Sequence, residues 1–302
     1  MKTFHRIIAA IDFTEPCRRA LKEAVRRGAK DQAQVIAVHV MDDFLMEELK
    51  RALSSSDAEV RAEWEGKLRA FVDECDVGAA LVKCEVRVGR PFTELSEACR
   101  VHEADLLVMG AKGSREEPNR IGVIAAKCVR KAPVDVLLVR SGAQGPFKKV
   151  VACVDFSENS AKAVQEALHI AKVDGGSLDC LYIYQSALAM SLDYGGMVPP
   201  MPADAGTETL EMWRTELATF IEGLTRDAGD VPVRTLVTER VNVREAILDH
   251  VAETGSDLVV LGTRGKSGLR ELLIGTTAEK IVQNAPCAIL AVKPDDVVAA
   301  AE

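Results

Sequence analysis

The chain has 302 residues, 48% of them hydrophobic and 28% charged, with a formal net charge of −8 at pH 7. That length suits about two domains, and the composition is that of a soluble globular chain with apolar material for a core in each half. It argues against a membrane span, since no run reaches the roughly 20 apolar residues required, and against a nucleic-acid role, which needs a basic face.

In chain order, "MKTFHRIIAAIDF" places acidic Asp12 directly after a short apolar run, which predicts a first strand and not a signal peptide. "VIAVHV" predicts a second strand, with His39 inside it. "MDDFLMEELKRALSSSDAEV" is polar and helix-like, and "RVGRPFTEL" passes from strand to helix through a Gly89-Arg90-Pro91 turn. The strands "ADLLVMG" and "VDVLLV" follow, and then "SGAQGPF" (141–147), whose Gly and Pro suit a linker. Beyond it, "KVVACVD", "SLDCLYIY", "VRTLVT", "DLVVLG" and "CAILAV" predict five strands, with helices over roughly 158–173, 207–229, 243–254 and 276–284.

The chain repeats itself. Asp12-Phe13-Thr14 returns as Asp155-Phe156-Ser157, 143 residues on (155 − 12). "ADLLVMGAKG" (104–113) returns as "SDLVVLGTRG" (256–265), and "APVDVLLVR" (132–140) as "APCAILAVK" (285–293). Three matched blocks in one order indicate a tandem duplication, residues 1–143 and 147–294. Short strands apolar on both faces, alternating with helices, predict parallel sheets covered on two sides. The fold class is therefore α/β: two tandem doubly wound domains, each with a five-stranded parallel sheet flanked by helices. Ligands of such sheets sit at the carboxyl ends of the strands, the rim on which Asp155 and Gly262 both stand.

The stretch "VVLGTRGKSGLRELLIGTTAEKIVQ" (259–283) contains Gly-Lys-Ser, yet Val260 stands where a P-loop needs its first glycine. What remains is Gly262, Gly265 and Gly275 ahead of Thr276-Thr277 and a helix. Glycines let a backbone approach an anion closely, and a helix start offers unpaired N–H groups to a phosphate. Arg264 and Lys266 add positive charge. Two readings stay open at this point, a phosphate cradle and a structural loop. Thr276 with Glu279 has the spacing of a capping box, and Asp155 has the position of a turn-forming residue.

The order "VVACVDFS", then "DLVVLGTRGKSGLRELLIGTTAEKIVQNAPCAILAVK", resembles the universal stress protein family, whose nucleotide-binding members carry G-x2-G-x9-G-[S/T]. The likeness covers both repeats and the second matches the motif in full. The resemblance implies that Val154, Asp155, Phe156 and Ser157, with Ile183 on the second strand, face adenine and ribose. It implies that Leu261, Gly262, Arg264 and Gly265 follow the ribose and first phosphates, and that Gly275, Thr276 and Thr277 hold the terminal phosphates. It also implies that the last strands of the two repeats pair, making an internal pseudo-dimer. The family's usual Gly-Ser-Val-Thr is here Gly275-Thr276-Thr277-Ala278, so one hydroxyl is missing. Val241, opposite Gly89, is expected to narrow the second pocket.

The first repeat reads "GAKGSREEPNRIGVIAAK": only eight residues separate Gly113 from Gly122, and Val123, Ile124 and Ala125 replace the hydroxyls. Glu116 and Glu117 add carboxylates, only partly countered by Lys112 and Arg115, and like charge disfavours a phosphate. This loop is read as degenerate and its site as empty. Residues 187–206 form a long, partly apolar loop, either a lid, a partner surface or a plain surface loop. The eight cysteines form no C-x-x-C pair, which fits reduced thiols in the cytoplasm. The five histidines lack metal-ligand spacing, with His39 read as a semi-buried strand residue.

The functional expectation is a cytoplasmic stress-response protein binding one adenine nucleotide per chain, ATP (or ADP or AMP) with Mg²⁺ as an accompanying ion, as a ligand-dependent switch. An unknown protein partner and homo-oligomerisation complete it. The alternatives are a nucleotide-free scaffold and a slow ATPase or phosphotransferase, for which Asp155 is the one candidate base.

Overall fold

The computed structural model describes residues 3–53, 56–78, 82–112, 121–140, 145–185, 205–265, 275–295 and 297. It forms two compact units, one holding Thr3–Gly145 and the chain from Ala288, the other Pro146–Cys287. The first contains β1 (Arg6–Ile11), α1 (Glu15–Asp31), β2 (Gln34–Met41), α2 (Asp43–Leu53), α3 (Asp57–Glu74), β3 (Val82–Val88), α4 (Pro91–Val101), β4 (Leu106–Gly110), α5 (Val123–Lys131) and β5 (Asp135–Val139). The second contains β6 (Lys149–Val154), α6 (Glu158–Asp174), β7 (Ser177–Tyr184), α7 (Ala205–Leu224), β8 (Val233–Glu239), α8 (Val243–Thr254), β9 (Leu258–Gly262) and α9 (Thr276–Asn284). Strand β10 (Ala288–Val292) belongs to the first unit.

The apolar runs become strands buried on both faces: β1 is buried at every position after Arg6, and β5 and β10 throughout. The strand order is β3-β2-β1-β4-β5-β10 in the first unit and β9-β6-β7-β8 in the second. Pairings are parallel, except that β10 runs antiparallel to β5 with Leu290 opposite Leu137. Each repeat thus supplies five strands, but the fifth of the second repeat completes the other unit. The last strands of the two repeats thus pair, as the resemblance implied, and β5 is covered by β10. Fully buried Asp135 accepts the Lys293 backbone N–H at 2.7 Å, and the buried Lys293 ammonium donates to the Val129 carbonyl.

Strand β1 is flanked by β2 and β4, and β6 by β7 and β9. The chain reverses its progress across each sheet at these central strands, which opens a crevice at their carboxyl ends. The turn leaving them is the same in both repeats. Asp12 Oδ1 accepts from the Thr14 N–H at 3.0 Å and the Thr14 hydroxyl at 2.5 Å. Asp155 Oδ1 holds Ser157 at 3.0 and 2.5 Å. The intervening Phe13 and Phe156 take φ of 62° and 61°, a left-handed backbone uncommon for a bulky residue.

That backbone turns each phenylalanine into an aromatic cluster. Phe13 lies 4.6, 5.9 and 5.4 Å from the rings of His39, Trp64 and Phe71. Phe156 lies 4.7, 5.8 and 5.3 Å from Tyr182, Trp213 and Phe220. Thr14 and Ser157 then cap α1 and α6, accepting from the N–H groups of Cys17 and Ser160. Asp105 and Asp257 tie the sheet at its other end, accepting from the backbone at the start of β1 and β6.

The "MDDFLMEELKRALSSSDAEV" stretch spans α2 and the start of α3, whose capping box joins Ser56 and Glu59. Gly113, Arg115, Glu116 and Glu117, linker positions 141–144, Lys266, and the long loop through position 204 lie outside the described residues. All eight cysteines are free. Burial pushes the thiols of Cys17, Cys99, Cys128 and Cys180 up to about 12, and the thiolate is the reactive form. A thiol reagent at pH 8 is therefore expected to leave these four unmodified in the native protein and to label them on unfolding. Peptide mass analysis checks this, and labelling of any of the four under native conditions would contradict the packing described.

Candidate functional site

A cavity of about 340 Å³ opens at the carboxyl ends of β6, β7 and β9. Val154, Leu181, Ile183 and Leu261 form its strand-side wall, and Val243, Ile247 and Ile281 add apolar contacts from the helices. The lining also includes Asp155, Thr263, Arg264, Thr276 and Thr277 together with Gly262, Gly265 and Gly275.

Of the residues singled out from sequence, Val154, Asp155, Ile183, Leu261, Gly262, Arg264, Gly265, Gly275, Thr276 and Thr277 meet on this wall. Phe156 and Ser157 do not. The left-handed turn sends Phe156 into the aromatic cluster, and Ser157 is spent as the N-cap of α6. Asp155 is the turn-former as well as a wall residue: Oδ1 takes both bonds from Ser157.

Two glycines sit in close approach to side-chain ends that a Cβ would displace. A Cβ on Gly265 would lie 2.6 Å from Asp155 Oδ2, and one on Gly262 would lie 2.8 Å from Asn159 Nδ2. Asn159, 7% exposed, donates to the Arg264 carbonyl at 3.4 Å and so ties the turn to the first turn of α6. Gly275 differs: among the described residues nothing lies within 4 Å of its missing Cβ, and its φ is −56°. No packing in the described protein demands a glycine there.

Gly275 is the N-cap of α9 and, as a glycine, brings no side-chain cap of its own. The capping box expected of Thr276 and Glu279 does not form, because Thr276 is already the first helical residue. The first bond of the helix start runs from the Glu279 N–H to the Gly275 carbonyl at 2.9 Å, while the Gly275 N–H goes to Thr263. The N–H groups of Thr276, Thr277 and Ala278, all on the cavity wall, have no acceptor in the hydrogen bonds of the described residues. Such a helix start, with its dipole, is a ready anion site. Burial, followed by the Glu216 and Asp155 carboxylates, raises the pKa of wall residue Tyr182 and keeps its phenol protonated as a donor.

Val241 does not narrow the cavity. It is 37% exposed, and its carbonyl accepts from the Gln185 amide. Three residues, Arg240 to Asn242, link β8 to α8, against two, Gly89 and Arg90, between β3 and α4. The extra residue loops out, so Val243 takes the wall position that Pro91 takes in the first repeat.

The first repeat builds a matching cavity of about 230 Å³. Asp12, Gly110, Lys112 and Gly122 stand where Asp155, Gly262, Arg264 and Gly275 stand in the second, but Val123 and Ile124 replace the threonines. The sequence reading missed Asn159, Ser160, Tyr182 and Thr263. Val243 and Ile247 were detectable, being apolar four residues apart at the start of a helix.

A sequence model described as the universal stress protein family matches residues 3–140 and again 146–293. The chain belongs to the universal stress protein family. It is a tandem member, with one family segment in each repeat. Universal stress protein YxiE of Bacillus subtilis is 30% identical over 149 residues, 49% of this chain and 99% of that protein. A universal stress protein of Methanocaldococcus jannaschii is 28% identical over 159 residues, 52% of this chain and 87% of its own. Among solved structures, a universal stress protein from Archaeoglobus fulgidus superposes with a TM-score of 0.64 at 14% identity, over 95% of this chain and 98% of that one. A functionally unknown protein from Pseudomonas aeruginosa gives 0.66 at 16%, over 99% and 95%. These two likenesses establish the fold alone.

The glycines of this universal stress protein separate by mutation. Gly265→Ala is expected to cost about 1–3 kcal/mol by overpacking against Asp155, and Gly275→Ala no more than about 1 kcal/mol, the loss typical of an N-cap change. Urea unfolding of the two variants checks the order, and the reverse order would refute the Asp155–Gly265 contact.

Proposed function

We propose that the second repeat, residues 147–294, binds one adenine nucleotide per chain, ATP or its di- or monophosphate, as the ligand of a stress-response switch. The observation that carries this reading is the start of α9: three unpaired N–H groups among the described hydrogen bonds, beside Arg264, at a wall where Gly275 leaves open space. Phosphates at that helix start would meet backbone donors, the helix dipole and the Thr276 and Thr277 hydroxyls. The apolar wall of Val154, Ile183 and Leu261 suits a base. The choice of adenine follows the likeness of the G-x2-G-x9-G-T motif to nucleotide-binding universal stress proteins.

Mg²⁺ in this reading arrives with the phosphates, because no cluster of three or more His, Cys, Asp or Glu among the described residues could hold it alone. The free, buried thiols favour a reducing, cytoplasmic setting. No helix among the described residues is long and apolar enough to cross a membrane. Switching requires that the nucleotide bind one conformational state better than another; a protein partner, or association of chains, would read the difference. Hydrolysis is the weaker reading, since Asp155 Oδ1 is committed to Ser157 and Oδ2 lies against Gly265.

Calorimetric titration of nucleotide-stripped protein with ATP and Mg²⁺ is expected to give one site per chain. Each charge-assisted hydrogen bond is worth about 1.5–3 kcal/mol, so the double variant Thr276→Val, Thr277→Val is expected to lose at least about tenfold in ATP affinity and to bind adenosine as before. Gly275→Ala should likewise weaken ATP. An absence of heat from folded protein sinks the proposal, and two sites per chain would show that the first repeat also takes nucleotide.

A further inference from the structure

The glycine turn of the second repeat, Gly262 to Gly265, is held from behind by one buried amide. Asn159 is the second residue of α6, 7% exposed, and stands outside the cavity lining to which Gly262, Arg264 and Gly265 all belong. Its Nδ2 donates to the Arg264 carbonyl at 3.4 Å, and a Cβ on Gly262 would lie 2.8 Å from the same nitrogen. A carbonyl only accepts, so the amide nitrogen and not its oxygen must face the turn. The rest of the turn is held elsewhere: the Thr263 carbonyl accepts from the Gly275 N–H at 3.1 Å, and Gly265 packs against Asp155 Oδ2.

The carbonyl of Arg264 belongs to the same peptide unit as the N–H of Gly265, and in a planar trans peptide the two point in opposite directions. With the carbonyl drawn toward Asn159, the N–H is turned away from it, and among the described hydrogen bonds this N–H has no acceptor. An Arg-Gly peptide can rotate as a unit, because glycine accepts both of the resulting backbone conformations. The opposite orientation would put the negative end of the carbonyl where the N–H now stands, which is unfavourable beside a phosphate. In the first repeat Pro16 has the place of Asn159. A Cβ on Gly110 would lie 3.0 Å from Pro16 Cβ, and proline brings no side-chain donor.

We propose that Asn159 is a positioning residue for phosphate recognition: it selects the peptide orientation in which Gly265 offers its N–H to the ligand, beside Arg264 and the start of α9. This role rests on the nucleotide reading of the second repeat and adds to it a residue that touches no ligand. Pro16 leaves the first repeat without the same control over its turn.

The test uses full-length protein carrying ¹³C at arginine carbonyls and ¹⁵N at glycines. Two Arg-Gly pairs occur in the chain, Arg27-Gly28 and Arg264-Gly265, so a carbonyl–amide correlation spectrum holds two signals, the first serving as a reference. Two variants remove the donor: Asn159→Asp, close in size, and Asn159→Pro, which copies a helix position where Pro16 is accommodated. Both are expected to move the Arg264-Gly265 signal without ligand and to leave Arg27-Gly28 in place. By calorimetry ATP affinity should fall about tenfold, the worth of one charge-assisted hydrogen bond, with adenosine affinity unchanged; a purely structural role would weaken both ligands together. An Arg264-Gly265 signal unmoved in a folded variant overturns the hold. A moved signal with ATP binding unaltered, or with ATP and adenosine weakened alike, overturns its part in phosphate recognition. In the unaltered protein ATP, and not adenosine, is expected to shift the Gly265 amide, and an amide unmoved by saturating ATP overturns the proposal even where neither variant folds. If the unaltered protein binds no ATP at all, the nucleotide reading falls and this role with it.

Discussion

At the end of β1, and again at the end of β6, one carboxylate oxygen accepts two hydrogen bonds from the residue two places on. Much of what makes this protein distinctive follows from that turn. It holds a phenylalanine in a left-handed conformation, a strain of order 1–3 kcal/mol, and the surrounding structure offsets it by burying the ring among three aromatic partners. The hydroxyl that donates to the aspartate also caps the following helix. Strand end, helix start and aromatic cluster are therefore joined at one point, and the cavity wall begins there. In the second repeat the same carboxylate sets how closely the glycine turn can approach, since Gly265 packs onto Asp155.

The two cavities show how little of a binding site's character lies in its frame. Strand order, turn geometry and a glycine at the N-cap of α5 and of α9 are shared. The differences are a handful of side chains: hydroxyls against aliphatics at the helix start, Tyr182 against His39, Asn159 against Pro16. Asn159 matters through another residue, since its amide holds the backbone of Arg264, and a proline at the matching position has no donor to do this. A helix start offers a favourable field for an anion in both repeats, and only the second adds threonine hydroxyls beside it.

Strand β10 bears on the duplication itself. It adds antiparallel to β5 and completes the sheet of the first repeat's unit. The Asp135–Lys293 contact seals the end of that pairing, with the lysine ammonium satisfied at the carboxyl end of α5. Covering β5 this way removes an apolar edge that would otherwise invite pairing with other chains.

Much of this was legible in the residues. Apolar runs of five to eight residues separated by amphipathic stretches predict parallel strands covered on both faces, and β1, β2, β6, β7 and β9 fall on them. Repeat spacing located Asp155 against Asp12, and the glycine pattern gathered most of one cavity wall. Those features are local, because periodicity and glycine content act on a segment's own backbone. Other features arise from segments more than 100 residues apart, or from one residue more or less in a connection. "CAILAV" is equally apolar whether its strand pairs parallel or antiparallel, so the resemblance implied β5 as its partner but only the structure gave the antiparallel direction. Val241 loops away because one extra residue separates β8 from α8, Phe156 turns from the cavity because three aromatics receive it, and Thr276 has no cap role because Gly275 takes the N-cap position. Sequence alone determined which elements form and which rim they meet on; only tertiary packing decided which side chains face the cavities, because that choice is made by the partners a side chain finds and not by its own place in the chain.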